Sequence, residues 1–232
     1  MTSIFNTALA THIVAGSLAL ILGIVPIFTT KGGGRHRAAG RGFTRLMYFV
    51  LGSAALMTVM AIQPYFAALT VGASISTFSG IRVLRRKRPD IDPAQRAQTL
   101  DWLFIAAAAL ILLLLTVLAA AGEVGQNATV FYVLIAGASA YLLWDVVRFM
   151  FPAAWPFFPR LWFYEHLVKM IASYSAVMAA FSGSVLHFLP IPEPWKQLWS
   201  TILFHNLMIG FILWHALVKP RLQRRKARSA AA

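Results

Sequence analysis

The residues able to do chemistry in this chain are mostly imidazoles. Histidines stand at positions 12, 36, 166, 187, 205 and 215; cysteine is absent, and the acids number seven. Without a thiol, iron–sulfur clusters, thiolate metal sites, disulfides and cysteine nucleophiles are excluded. Histidine alone can ligate haem iron, relay a proton or hydrogen-bond a quinone-type headgroup. Two acid–base spacings accompany it: Asp145 with Arg148, about one helical turn apart, and Glu165 with Lys169 at i, i+4. The stretch KGGGRHRAAGRGFTR, residues 31–45, looks superficially like a phosphate loop. It follows an apolar segment rather than a strand and lacks the closing Lys-Ser/Thr of a P-loop, so the match is negligible. Neither HExxH nor GxSxG occurs, and so few acids leave no paired-carboxylate site.

The elements that position these residues are apolar helices. Of the 232 residues 59% are hydrophobic and 12% charged, which is wrong for a water-soluble domain. WLFIAAAALILLLLTVLAAA, residues 102–121, is an uncharged run about as long as a helix needs to cross a bilayer core. Apolar windows predict seven spans, near 5–28, 43–62, 65–84, 101–121, 129–150, 162–187 and 197–218. The expected fold class is all-α, a polytopic membrane bundle with one domain over 1–218 and a basic tail over 219–232. The first span has no basic residue before Lys31 and reads as a retained helix rather than a signal peptide.

The net charge of +14 is placed by this topology. Seven crossings put twenty of the 21 Lys and Arg residues on one side, with Lys196 the exception, whereas six or eight crossings scatter them. The positive-inside rule makes that side cytoplasmic, with the N-terminus outside and the C-terminus inside. The 31–45 stretch then reads as a topogenic loop, and the tail as a contact for anionic lipid rather than nucleic acid. Partner subunits or a homo-oligomer are further expected associations. FPAAWPFFPRLW carries too many prolines for a helix interior and is expected along the inner surface. In the first helix Gly16, Ala19 and Gly23 share a face suited to close packing.

Depth then groups the histidines. His12 and His205 lie about two turns in from the outer side, and His166 and His215 lie near the inner side. Ten residues from His205 to His215 give about 15 Å of rise, so the two levels stack. Two bis-His haem b centres need such an arrangement, which makes His12, His205, His166 and His215 candidate haem-iron and cofactor-binding ligands. Histidines near helix ends also cap termini or sit among headgroups, and that reading stays open beside the first. On helix six, His166, Met170, Ser173, Ser184 and His187 form a polar stripe expected to face inward.

THIVAGSLALILGIVPIFTTKGGGRHRAAGRGF, with His12, Gly16, Gly23, Gly33, His36, Arg37, Gly40 and Arg41, resembles the start of a family of bacterial predicted multi-pass inner-membrane proteins of unknown function. WDVVRFM and EHLVKMIASYSAVMAAFSG resemble later segments of that family, an Asp-x-x-Arg around Asp145 and Arg148 and a His-x-x-x-Met around His166. The resemblance implies a bacterial inner-membrane location and supplies no activity. It singles out His36, Arg37, Arg41, Asp145, Arg148 and His166 as a polar cluster expected at the cytoplasmic edge, able to take a quinone headgroup, an anion or a haem propionate, or to lock helices together. Two functions follow: a redox subunit carrying haem b or quinone, or a non-catalytic component, either small-solute transporter or scaffold.

Overall fold

The computed structural model describes residues 2–124, 128–152, 160–185, 188–192 and 194–218. Its seven long helices are α1 (Thr2–Phe28), α2 (Gly34–Met60), α3 (Pro64–Arg82), α4 (Thr99–Ala120), α5 (Ala128–Met150), α6 (Leu161–Val185) and α7 (Trp195–Leu213), and no strand occurs among the described residues. All seven are long and apolar enough to cross a membrane. The basic tail from 219, His187 and most of the proline-rich 151–162 segment lie outside the described residues.

Local chemistry sets several helix ends. Pro64 opens α3 at its first turn, where its missing N–H costs nothing and its fixed φ already suits the helix. Gln98 and Asp101 cap α4 reciprocally, each side chain accepting from the other's backbone N–H. The same helix ends in a Schellman turn: Gly122 takes φ 83°, its N–H reaches Ala119 O at 3.1 Å, and the Glu123 N–H reaches Leu118 O at 3.0 Å.

The 31–45 stretch departs from the expected loop. Only its first residues turn, with Gly32 at φ 77°, and α2 begins at Gly34. Gly33 O accepts the Arg37 N–H at 3.0 Å, and the Ala and Arg residues that follow are strong helix formers. His36, Arg37 and Arg41 therefore ride on a helix that starts about nine residues before the apolar window at 43. A hydropathy window ignores a charged helical turn, so it missed the true start.

Two apolar clusters organise the bundle. Ala68, Val71 and Ile75 of α3 pack with Ala108, Leu112 and Leu115 of α4 and Phe131 and Ala138 of α5. Ala19 of α1 packs with Phe43 and Met47 of α2 and Tyr174 and Val177 of α6, with Phe204 of α7 against them. α3 and α6 are the most buried helices and pack on each other, so they form the axis. Outward faces are apolar instead: Leu103, Leu110, Leu113 and Val117 of α4 are all more than half exposed. So large an exposed apolar surface is what a lipid solvent requires and water does not tolerate.

The small-residue face of α1 is used unevenly. A Cβ at Gly23 would meet Tyr174 Cδ2 at 2.6 Å and Phe43 Cδ2 at 2.8 Å, whereas one at Gly16 meets nothing within 4 Å. Gly23→Ala should therefore lower stability by about 1–3 kcal/mol through overpacking, and Gly16→Ala should be neutral or stabilising by up to about 1 kcal/mol through helix propensity. Thermal unfolding of the two variants in mild detergent checks the contrast.

Candidate functional site

At the end of the bundle where α3 finishes, the helices bring three acids and four bases out of water. Arg82, Arg86, Asp101, Asp145, Glu165 and Lys169 are all buried, and the side chain of Arg148 is one-tenth exposed. Arg82 grips Asp101 with both ends of its fork, Nε to Oδ1 and Nη2 to Oδ2, each at 2.8 Å, and Nη2 also donates to Gln98 Oε1 at 2.9 Å. The capping acid of α4 is thus the anchor for the last turn of α3. Lys169 of α6 donates to Asp145 of α5 and, at 2.7 Å, to Ser79 Oγ of α3, while the Ser79 hydroxyl donates to Asp145. Glu165 of α6 accepts from Trp144 Nε1 at 2.7 Å and Arg148 Nε at 3.0 Å, both on α5. One turn deeper, the hydroxyls of Thr77 and Ser173 bond at 2.7 Å with both residues fully buried.

Both acid–base spacings legible in the chain are real neighbours, but their pairing is crossed. Asp145 bonds Lys169 rather than Arg148, and Glu165 bonds Arg148 rather than Lys169. Two pairs that would each have decorated one helix instead tie α5 to α6. Pairing between helices satisfies charge and packing together, which a pair along one helix does not. Glycine admits this closeness: a Cβ at Gly80 would lie 3.0 Å from Lys169 Cβ and 3.1 Å from Met170 Sδ.

A second polar group lies beside the first. His166 Nδ1 bonds Gly80 O of α3 at 2.7 Å, and His36 Nδ1 of α2 bonds Pro26 O of α1 at 3.3 Å. Lys31 Nζ donates to Pro26 O at 2.6 Å and Ile27 O at 2.8 Å, closing the end of α1, and it stands 5.3 Å from the centre of the Phe211 ring of α7. His36 and Lys31 both lie within electrostatic range of His166. Burial draws the Lys31 ammonium below its ordinary pKa. Because a carbonyl can only accept, each Nδ1 carries the proton, and in the neutral ring Nε2 is left with its lone pair. That tautomer suits an imidazole meant to ligate a metal or to accept a proton from a bound hydroxyl.

The expected polar cluster thus divides. His36 and Lys31 lie within electrostatic range of His166; Asp145 and Arg148 belong to the ion lattice, and Arg37 and Arg41 are exposed on α2. The half-buried His12 of the expected outer level bonds α2 through Nδ1, to Val50 O at 3.1 Å and Ser53 Oγ at 3.0 Å. His205, also half-buried, bonds Thr201 O of its own helix at 2.7 Å. Neither ring hydrogen-bonds the other. His215 lies in the short π-turn Trp214–Val218, and its side chain is outside the described residues. No group of three or more His, Cys, Asp or Glu that could hold a metal ion occurs among the described residues. On α6 the inward stripe contains Met170 and Ser173, but Ser184 is exposed and Ser182 is the buried serine instead.

Sequence reasoning missed Arg82, Asp101 and Arg86 as parts of one site. An acid at the third position of the most apolar helix, three residues after a capping Gln, was the available signal. No protein-family model, curated protein or solved structure matches the chain.

The lattice predicts a non-additive pair. Lys169→Met alone strands the Asp145 carboxylate and should cost about 3–5 kcal/mol. Adding Asp145→Leu should restore most of that loss, because an apolar pair of similar volume removes the desolvation penalty altogether. Equilibrium unfolding of both singles and the double in detergent measures the coupling; additive losses would contradict it.

Proposed function

We propose that this chain is a multi-pass protein of a bacterial inner membrane, N-terminus outside and C-terminus cytoplasmic, and that it acts as a redox component binding a quinone headgroup at the cytoplasmic end. The charge asymmetry supports the orientation, and the resemblance of residues 12–41 to a bacterial inner-membrane family supports the location. The observation that carries the function is the imidazole pair His36 and His166, each held by a backbone carbonyl through Nδ1, with Lys31 beside them.

These residues fit a quinone by their chemistry. A quinone supplies a two-electron, two-proton redox couple when bound. Around its headgroup, each Nε2 lone pair can accept a hydroxyl proton from the reduced form, and the Lys31 ammonium can donate to a carbonyl oxygen of the oxidised form. Met170 and Phe211 flank the group with polarisable, apolar surface. Haem b uses the same Nε2 lone pairs, but an ammonium beside a ferric iron is a repulsive neighbour while beside a quinone oxygen it is favourable. The crossed ion lattice favours a second reading, in which the chain is a scaffold or small-solute transporter and its buried charges serve only to lock helices.

Purification in mild detergent, with organic extraction and oxidised and dithionite-reduced spectra, separates these readings. Quinone should be recovered near stoichiometry without a Soret band, and His36→Gln or His166→Gln should each weaken its binding about 10-fold or more, the value of one buried hydrogen bond. A Soret band that shifts on reduction would hand the imidazoles to haem b. A colourless protein free of quinone would leave the scaffold or transporter.

A further inference from the structure

The ion lattice has one base more than it has acids, and the surplus has an address. Asp101 accepts from both ends of the Arg82 fork and, at 2.9 Å, from the Gln98 backbone N–H, the bond by which it caps α4. Asp145 is held by Lys169 and Ser79, and Glu165 by Arg148 and Trp144. Among the described residues Arg86 has no acid to itself; it shares Asp101 with Arg82, as a longer ion pair. It is 92% buried by residue surface (8% exposed), its Nη1 stands 3.8 Å from Asp101 Oδ1, beyond hydrogen-bond range, and that buried nitrogen has no hydrogen-bond partner. Its other recognisable contact is the face of Phe149, 4.2 Å from the guanidinium carbon, which attracts the cation but accepts no conventional hydrogen bond. Burial draws its pKa below the ordinary guanidinium value, against the attraction of Asp101, Asp145 and Glu165.

Arg86 also lines a cavity of about 20 Å³, together with Asp145, Arg148, Phe149 and Glu165. We propose that this cavity holds a monoatomic monovalent anion, chloride in the cell, bound to Arg86. The space is small: its core of about 20 Å³ takes a single atom-sized ion. Charge decides its sign. With four bases against three acids, one anion brings the buried group to neutrality, and a buried charge is otherwise expensive. The two carboxylates on the wall already hold their own cations, so the uncompensated field in the cavity is that of Arg86. The site involves none of the imidazole residues and stands whether or not a quinone binds.

Thermal unfolding of the full chain in detergent tests this, with chloride titrated against gluconate at constant ionic strength. The midpoint should rise and saturate with chloride, as linkage to a folded-state ligand requires. Bromide should act similarly. Arg86→Gln should abolish the response and raise the midpoint in gluconate, because the surplus charge is gone. No chloride-specific rise in the wild-type chain, the result if water alone fills the cavity, overturns the proposal. So does a response that persists in Arg86→Gln. If that variant does not fold, Arg86→Lys keeps the charge but loses the planar fork, and should raise the half-saturating chloride concentration at least tenfold; an unchanged value is equally fatal.

Discussion

Among the described residues, three buried carboxylates are shared among four cations at one end of an apolar bundle, and the arrangement of α3 to α6 follows from that sharing. An isolated charge in such an interior is intolerable, and a paired one is tolerable only with good geometry and every lone pair occupied. The helices meet where Asp101, Asp145 and Glu165 can each be surrounded by donors. Ser79 illustrates the economy of this arrangement: its hydroxyl accepts from Lys169 and donates to Asp145, so one small side chain on α3 closes the link between α5 and α6. The glycine next to it lets α6 come near enough for the bonds to form.

The lattice also fixes the imidazole side. Glu165 and His166 are adjacent on α6 and point to different neighbours, the acid toward α5 and the imidazole toward the backbone of α3. Locking Glu165 to Arg148 and Trp144 therefore sets the rotation of α6 that aims His166 at Gly80 O. His36 reaches the same neighbourhood from α2 because that helix starts early, at Gly34, directly after the turn at Gly32. One face of α6 carries ion pairs and hydrogen bonds to α3 and α5. Beside it stand two imidazoles and an ammonium, with no acid in hydrogen-bond contact with them among the described residues.

What the chain made legible was mostly what one helix can show. Helix number, the apolar identity of each helix, the close packing at Gly23 and the inward set of His166, Met170 and Ser173 all depend on composition and on the 3.6-residue period. The pairing of charges was misread because spacing along a helix favours the partner one turn away, whereas burial rewards a partner on the next helix. Arg82 and Asp101 lie 19 residues apart, across a connection whose path no local pattern reveals. Position along the helices matched His12 with His205, yet each finds its hydrogen bond without the other, since such matching says nothing about azimuth around the helix. The start of α2 was hidden for another reason: arginines raise helix propensity while lowering hydropathy, so the apolar window begins well inside the helix.

The central proposal is that the imidazole group, and not the ion lattice, receives a quinone. Photo-labelling the detergent-purified chain with an azido-quinone, followed by mass-spectrometric mapping of the adduct, addresses it most directly. The account predicts adducts on the segments around Lys31 to His36 and His166 to Met170, lost on competition with unlabelled quinone. Adducts spread over the exposed apolar surface of α4, or none that competitor displaces, would contradict it.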